Sequence, residues 1–468
     1  MENILKEFAV LNSIPRPSRH EEAVAKYLEK RGVDLGFPTV RDEFNNVIME
    51  IPATKGYENL PLTIVQGHMD MVCVGGADYN PLTDAIITVN DGKTLKAKGT
   101  SLGADDGMGV AMILALITGE YEHGPLRGIF TADEESGMSG VQNLDKKYLE
   151  AKYLINLDWE DDDSICIGCA GCLTVEYKKF AVKEPMEGQG FSLSLSGLRG
   201  GHSGCEIHEN RANAIKVMGD FLTYLVKNNI LFSIGDIVGG KALNVIAPEI
   251  KTSIIVAKED VPKFEILYLD FAKKIENQFP LEKNMIFGCV KADINQGYLP
   301  GDTRDIALFL GQCPQGVKTM SQSVPGFVST SNNLGVINGE NGINLLISYR
   351  SDKNEVMEDF AKEVGDMGKT YGFVGEVQSE SPAWTPKSDS YMEKLAYELY
   401  VKKMGKSPHV VSVHAGLECC YFAVQNPSLE MISIGPLIKE CHSVKETLYL
   451  ETLSLVMGWF GEILKNLK

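Results

Sequence analysis

Long apolar runs are missing from this chain of 468 residues. The longest, residues 110–117, has eight, where a bilayer crossing needs about 20, so no membrane span is expected. Positive charge is also scarce: 45 Lys and Arg against 63 Asp and Glu leave a net charge of −18. Nucleic acid and anionic membrane faces both require a cationic surface, and neither is expected as a partner. Cysteine is too dilute, at ten residues, for a disulfide scaffold. The spacing Cys166-x-x-Cys169-x-x-Cys172 has the look of a zinc or iron–sulfur knuckle. No distal Cys/His pair completes its four ligands, and buried thiols in a reducing cytoplasm are the better reading. The first residues carry acids where a secretory signal carries bases, and no apolar core follows them, which adds to the cytoplasmic expectation.

What is present is an ordinary globular composition, 44% hydrophobic and 23% charged, long enough for two or three domains. Ser18-Arg-His-Glu21 reads as a capping box opening a helix that ends at Gly32. Extended runs at 39–44, 47–51, 62–66, 127–132 and 153–157 alternate with a buried helix over 106–119, and an Asp91-Gly92 turn joins 86–89 to 94–97. This alternation predicts an α/β fold with a mixed sheet. Composition changes near 185, and a βαββ-like pattern then occurs twice up to 383, with Asn244-Val-Ile and Asn333-Leu-Gly-Val-Ile in comparable places. The organisation expected is a discontinuous domain, 1–184 plus 384–468, interrupted by an inserted, internally duplicated α+β domain, 185–383.

Ligands of an open α/β sheet collect at the carboxyl ends of its strands. Four segments place acids or imidazoles there: His68-Met-Asp70, Asp105-Asp106 after a glycine-rich turn, Glu134-Glu135, and Asp158. Unpaired, these anions would repel one another and raise each other's pKa values, so divalent cations are expected among them.

Gln66-Gly-His68-Met-Asp70, Leu102-Gly-Ala-Asp105-Asp106-Gly, Asp133-Glu134-Glu135-Ser, Leu157-Asp158-Trp-Glu, Gly200-Gly-His202-Ser-Gly and Glu440-Cys-His442-Ser together resemble the co-catalytic zinc peptidase and deacylase superfamily. Within it the set is similar to the aminoacyl-histidine dipeptidases, the carnosinase-like Xaa-His dipeptidases. The resemblance implies that His68, Asp105 and Asp158 hold one metal ion and Asp105, Glu135 and His442 the other, with Asp105 shared. It implies two Zn2+ per subunit, for which Mn2+ or Co2+ could substitute. Two divalent ions against three carboxylates and a shared hydroxide leave no net charge, which an enclosed site tolerates. Asp70 would orient His68 through a hydrogen bond to its second nitrogen, and Glu134 would be the general base toward a water bridging the metals.

The same resemblance makes the inserted domain a lid. His202 would donate to the tetrahedral oxyanion, Asn244 would lie near the substrate, and Arg350 would grip the peptide's terminal carboxylate. Thr252-Ser-Ile-Ile-Val-Ala lacks the arginine that many dimeric relatives carry there, leaving Arg350 alone in that role. Glu418 in His414-Ala-Gly-Leu-Glu418 would either meet a free α-amine or serve as a buried structural carboxylate. Arg211 is expected in a salt bridge or in lid packing, and His20, His123, His208 and His409 at the surface. The implied function is metal-dependent hydrolysis of unblocked dipeptides, Xaa-His and β-alanyl-histidine included. The alternatives are a deacylase or tripeptide aminopeptidase of the same superfamily and a non-catalytic scaffold on the same fold, and a homodimer is an allowed assembly.

Overall fold

The computed structural model describes residues 1–322, 324, 326–339 and 342–468. It divides into two compact units, one made of Met1–Cys169, Trp384–Ser412 and Leu417–Lys468, the other of Ala170–Ala383 and Val413–Gly416.

The first unit is built on an eight-stranded mixed sheet. Its strand order is Thr39–Arg41, Val47–Ile51, Leu126–Thr131, Thr63–His68, Tyr153–Asn156, Glu430–Ser433, Ser164–Cys169 and His409–Val413. The middle four run parallel, and Thr63–His68 among them is buried at every position, as a strand covered on both faces must be. The carboxyl ends of these four strands therefore emerge on one edge, and the segments bearing His68, Glu134, Asp158 and His442 follow from them. The helix Ala104–Ile117 is buried through residue 116, which explains an apolar sequence without a polar stripe. Its first residues, Asp105 and Asp106, are non-helical and joined by a cis peptide. The Asp106 carboxylate accepts the Gly109 N–H (3.1 Å) in the manner of an N-cap.

The expected capping box does not form. The helix spans Glu22–Asp34 with no side-chain cap, because the Ser18 hydroxyl donates instead to Asp70 (2.7 Å). The Glu21 carboxylate accepts from the N–H groups of Arg19 (2.6 Å) and Asp133 (3.0 Å). Gly32 does not end this helix. A Cβ there would lie 2.2 Å from the Thr39 hydroxyl, so that glycine serves the close approach of helix to strand. His123 is buried rather than exposed, with Nδ1 2.7 Å from the Gly124 carbonyl oxygen.

The second unit is built on one large antiparallel sheet. Its order is Ile286–Lys291, Gln189–Ser196, Ile250–Val256, Phe232–Gly239, Val328–Asn338, Ile343–Ser351, Gly171–Lys179 and Val374–Ser381, with Gly316–Met320 pairing off the path. The two halves mirror each other about the join of Val238–Gly239 with Ile337–Asn338. The half containing Ile343–Ser351 takes its inner strand, Gly171–Lys179, from chain that precedes the other half entirely. One copy is nested inside the other, which is why a tandem reading of the sequence sees no strand before residue 185. Asn244 and Asn333 are not counterparts. Asn244 lies in a loop, while the Asn333 amide donates from its strand to the carbonyls on either side, Leu243 (3.1 Å) and Val245 (2.9 Å). Arg211 lies outside the helix Ala214–Lys227, whose N-cap is Asn213.

Candidate active site

In the first unit, Asp105 stands between two imidazoles. Its Oδ1 is 3.1 Å from His68 Nε2, and its Oδ2 is 2.9 Å from His442 Nε2. Asp158 reaches the same His68 nitrogen at 3.4 Å, and Glu135 the same His442 nitrogen at 2.9 Å. Each imidazole thus shares Asp105 with a second carboxylate. His68, Asp105 and Asp158 form one group able to hold a metal ion, Asp105, Glu135 and His442 another, and Glu134 joins His68 and Glu135 in a third, with donor atoms within 4.8 Å of one another.

The electrostatics favour a cation. Burial pushes the Asp158 and Glu134 carboxyls well above their ordinary range, and neighbouring carboxylates add to the push. The His442 imidazole is raised to about 11 by the oxygens of Asp105 and Glu135. Burial lowers His68, but Asp158, Asp105 and Asp70 outweigh it and raise the imidazole overall. The Oε1 of Glu135 is buried without an aligned hydrogen bond, although His442 Nε2 is near. Nitrogen and carboxylate donors turned toward a common point are what a divalent ion requires, and the residues fit a pair of such ions.

Asp70 faces Nδ1 of His68 as expected, with its main-chain oxygen at 3.2 Å and its carboxylate at 3.5 Å. The same carboxylate also accepts the backbone N–H groups of Glu134 (3.0 Å) and Glu135 (3.2 Å). It fixes the segment that carries the two acids.

Two residues at this site went unread in the sequence. Glu446 accepts from the N–H groups of Leu102 (2.7 Å), Gly103 (3.0 Å) and Ala104 (2.7 Å), so its carboxylate holds the turn that delivers Asp105. Arg16, buried, donates to the carbonyls of Met69 (3.0 Å), Asp70 (3.1 Å) and Gly103 (2.6 Å), tying the His68 and Asp105 segments together. Gly103 must be glycine here: its φ is +68° and a Cβ would meet the Arg16 guanidinium at 2.5 Å. Glu446→Gln halves the charge-assisted bonding to the turn and is expected to weaken metal affinity about 10–100-fold, measured by competition with a chromogenic chelator.

Glu418, considered for a substrate amine, has 0 % exposure. Its Oε2 accepts from Gln66 (2.6 Å) and Thr131 (2.6 Å), and burial pushes its carboxyl up to about 7. It is a buried group that raises Glu134, with no surface to offer a ligand.

The second unit gathers a different set. Nδ1 of His202 accepts the N–H groups of Gly204 (3.1 Å) and Cys205 (3.0 Å), so the ring proton sits on Nε2. Burial, reinforced by Arg350, lowers its pKa, and the imidazole is a neutral donor. Arg211 binds Glu206 and donates to the Gly200 carbonyl (2.8 Å), while Glu206 accepts the His202 N–H (2.6 Å), which stitches this loop. The Ser203 N–H donates to the Asn244 carbonyl (2.8 Å), placing Asn244 beside His202. Arg350 is 9 % exposed, and its Nε is buried without a hydrogen-bond partner. A buried guanidinium in that state suits an incoming anion.

None of the ten cysteines is joined in a disulfide. Among the described residues, no helix is long and apolar enough to cross a membrane.

Comparison with known proteins agrees with this geometry. The family described as Peptidase family M20/M25/M40 matches residues 64–466. The chain is 34% identical to the cytosol non-specific dipeptidase of Escherichia coli strain K12, over 98% of its own length and 96% of the relative's. The crystal structure of aminoacylhistidine dipeptidase from Vibrio alginolyticus superposes with a TM-score of 0.92 at 32% identity, covering 100% of this chain and 96% of that one. An aminopeptidase from Bacillus cereus, at 16% identity and a TM-score of 0.57 over 99% of this chain and 98% of that one, shares the fold.

Proposed function

The chain belongs to peptidase family M20/M25/M40, and on that premise we propose that it hydrolyses unblocked dipeptides, Xaa-His and β-alanyl-histidine among them, with two divalent metal ions, Zn2+ in the native enzyme. The observation that carries the reading is the shared position of Asp105, one oxygen toward His68 and the other toward His442, in a chain 34% identical along its length to a dipeptidase.

His68, Asp105 and Asp158 would hold one ion, and Asp105, Glu135 and His442 the other. Such a pair, when bound, polarises the scissile carbonyl and acidifies water. Glu134 takes a proton from the attacking water on its carboxylate and returns it to the leaving amine. Asp70 keeps Glu134 and Glu135 in place through their backbone N–H groups. His202, with its proton on Nε2, donates to the oxyanion that develops on the carbonyl. Arg350 takes the free carboxylate of the dipeptide, and Asn244 lines the substrate beside His202.

A metal-titrated assay on a panel of free dipeptides and N-acyl amino acids tests this. Metal-dependent cleavage of the dipeptides alone is expected. Cleavage of the N-acyl compounds alone would select a deacylase, and turnover after exhaustive chelation would remove the metals from the reaction.

A further inference from the structure

A donor to a developing oxyanion is effective only if its position is fixed before the charge appears. His202 lies in the stretch between the strand Gln189–Ser196 and the helix Ala214–Lys227. The middle of this stretch is held by nearby chain: the Gly201 carbonyl accepts the Ile246 N–H (2.9 Å), and the Ser203 N–H reaches the Asn244 carbonyl. Its two feet have a different anchor. Oε2 of Glu282 accepts the N–H of Arg199 (2.8 Å), and Oε1 accepts the N–H of Ala212 (3.2 Å). One carboxylate closes the stretch, with an oxygen to each end.

Neither neighbouring element needs this clamp. The pairing of the strand ends at Ser196. The helix has its own cap in Asn213, whose side chain accepts from the N–H groups of Ile215 (2.9 Å) and Lys216 (3.2 Å). Glu282 is buried, and a carboxylate is costly to bury unless charge and hydrogen bonds compensate it. Arg199 Nε, 3.6 Å away, supplies the charge. The backbone of Glu282 is itself fixed in a turn, its N–H donating to the Phe279 carbonyl (3.0 Å) and its carbonyl accepting the Met285 N–H (3.1 Å). Asp70 and Glu446 hold the segments of Glu134 and Asp105 in the same way, carboxylate to backbone N–H. Bonds of this kind are charge-assisted and about twice as strong as neutral ones.

We propose that Glu282 is the positioning residue of the oxyanion donor: by holding Arg199 and Ala212 it fixes the frame that presents His202 Nε2, and it acts on the reaction through His202. The proposal rests on the role of His202 given above and deepens it, naming the group that keeps the imidazole in place for the transition state.

Steady-state kinetics of the metal-loaded enzyme, on the free dipeptide of the panel that turns over fastest, test this in a double-variant cycle with His202→Ala. His202→Ala alone is expected to lower kcat about 10²–10³-fold, the weight of one oxyanion donor. Glu282→Ala releases both feet and should lower kcat about 10–100-fold, since a displacement of about 1 Å can cost about 10²-fold. Its KM should stay within about threefold, with two ions per chain retained. Glu282→Gln keeps one accepting oxygen and should recover part of the loss. Added to His202→Ala, Glu282→Ala should cost less than about twofold more, because a residue that acts through another has nothing left to act on. An equal fold-loss in both backgrounds, an unchanged kcat, or a loss carried by KM would each overturn the assignment. If Glu282→Ala does not fold, Glu282→Gln is carried through the same cycle with the same criteria. A His202→Ala enzyme of unchanged kcat would defeat the oxyanion role and this proposal with it. A slow His202→Ala enzyme that Glu282→Ala slows further, by its full factor, defeats the Glu282 assignment alone.

Discussion

Glu134→Gln is expected to lower kcat by about 10²–10⁴-fold with both metal ions still bound. Glutamine keeps the shape and the hydrogen-bonding reach of the side chain but cannot take a proton. The backbone N–H of residue 134 would still donate to Asp70, so the segment should hold its place. Glu134 also stands within ligand distance of His68 and Glu135, and the variant separates the two roles that geometry allows. Lost turnover with two ions per chain by elemental analysis identifies a base. Lost turnover together with a lost ion identifies a ligand. Unchanged turnover removes Glu134 from the mechanism. The pH profile supplies an independent reading: the acidic limb assigned to Glu134 deprotonation should be absent from the residual activity of the variant.

Asp105→Ala should have the larger effect on metal content. Each imidazole shares this carboxylate with one other acid, Asp158 for His68 and Glu135 for His442, so its loss opens both positions at once. Both ions are expected to be lost at micromolar free zinc, and activity should fall by about 10³-fold or more, the scale of removing metal-assisted attack. Asp158→Asn and His442→Gln each weaken one position and should retain about one ion. Thermal unfolding reports the same difference, because an ion that binds only the folded chain stabilises it by mass action. Added zinc should raise the Tm of the wild type and leave that of Asp105→Ala in place. An Asp105→Ala protein that retains two ions per chain would break the two-metal assignment at its shared vertex.

How far each part of the site could be read in the sequence depends on how local its cause is. The acids after Thr63–His68, Leu126–Thr131 and Tyr153–Asn156 were legible because strand, strand end and acid are adjacent in the chain, and parallel pairing brings such ends to one edge. His202 and Arg211 were legible for a similar reason, sharing one short glycine-rich loop. Ser18 was misread because a Ser-x-x-Glu spacing is equally compatible with a cap and with a long-range bond to Asp70, and local pattern carries no information about which one wins. Arg16 and Glu446 left little trace because each acts through backbone atoms of distant segments, and any residue type can lend a carbonyl or an N–H.

The sequence by itself determined an acidic α/β chain with carboxylates and an imidazole at its strand ends, a glycine-rich turn before Asp105, and the adjacent acids Glu134-Glu135. Those follow from residue types at short spacing. Tertiary structure alone decided that Asp70 also secures the backbone of Glu134 and Glu135 and that Glu418 is sealed inside. It also decided that one half of the antiparallel sheet borrows its inner strand from before the other half, and that Glu282 meets both Arg199 and Ala212. Such pairings depend on register and on the burial of groups as many as 352 residues apart, where the free energy lies in excluding water from a polar contact. No spacing along a chain encodes that exclusion until the chain has folded.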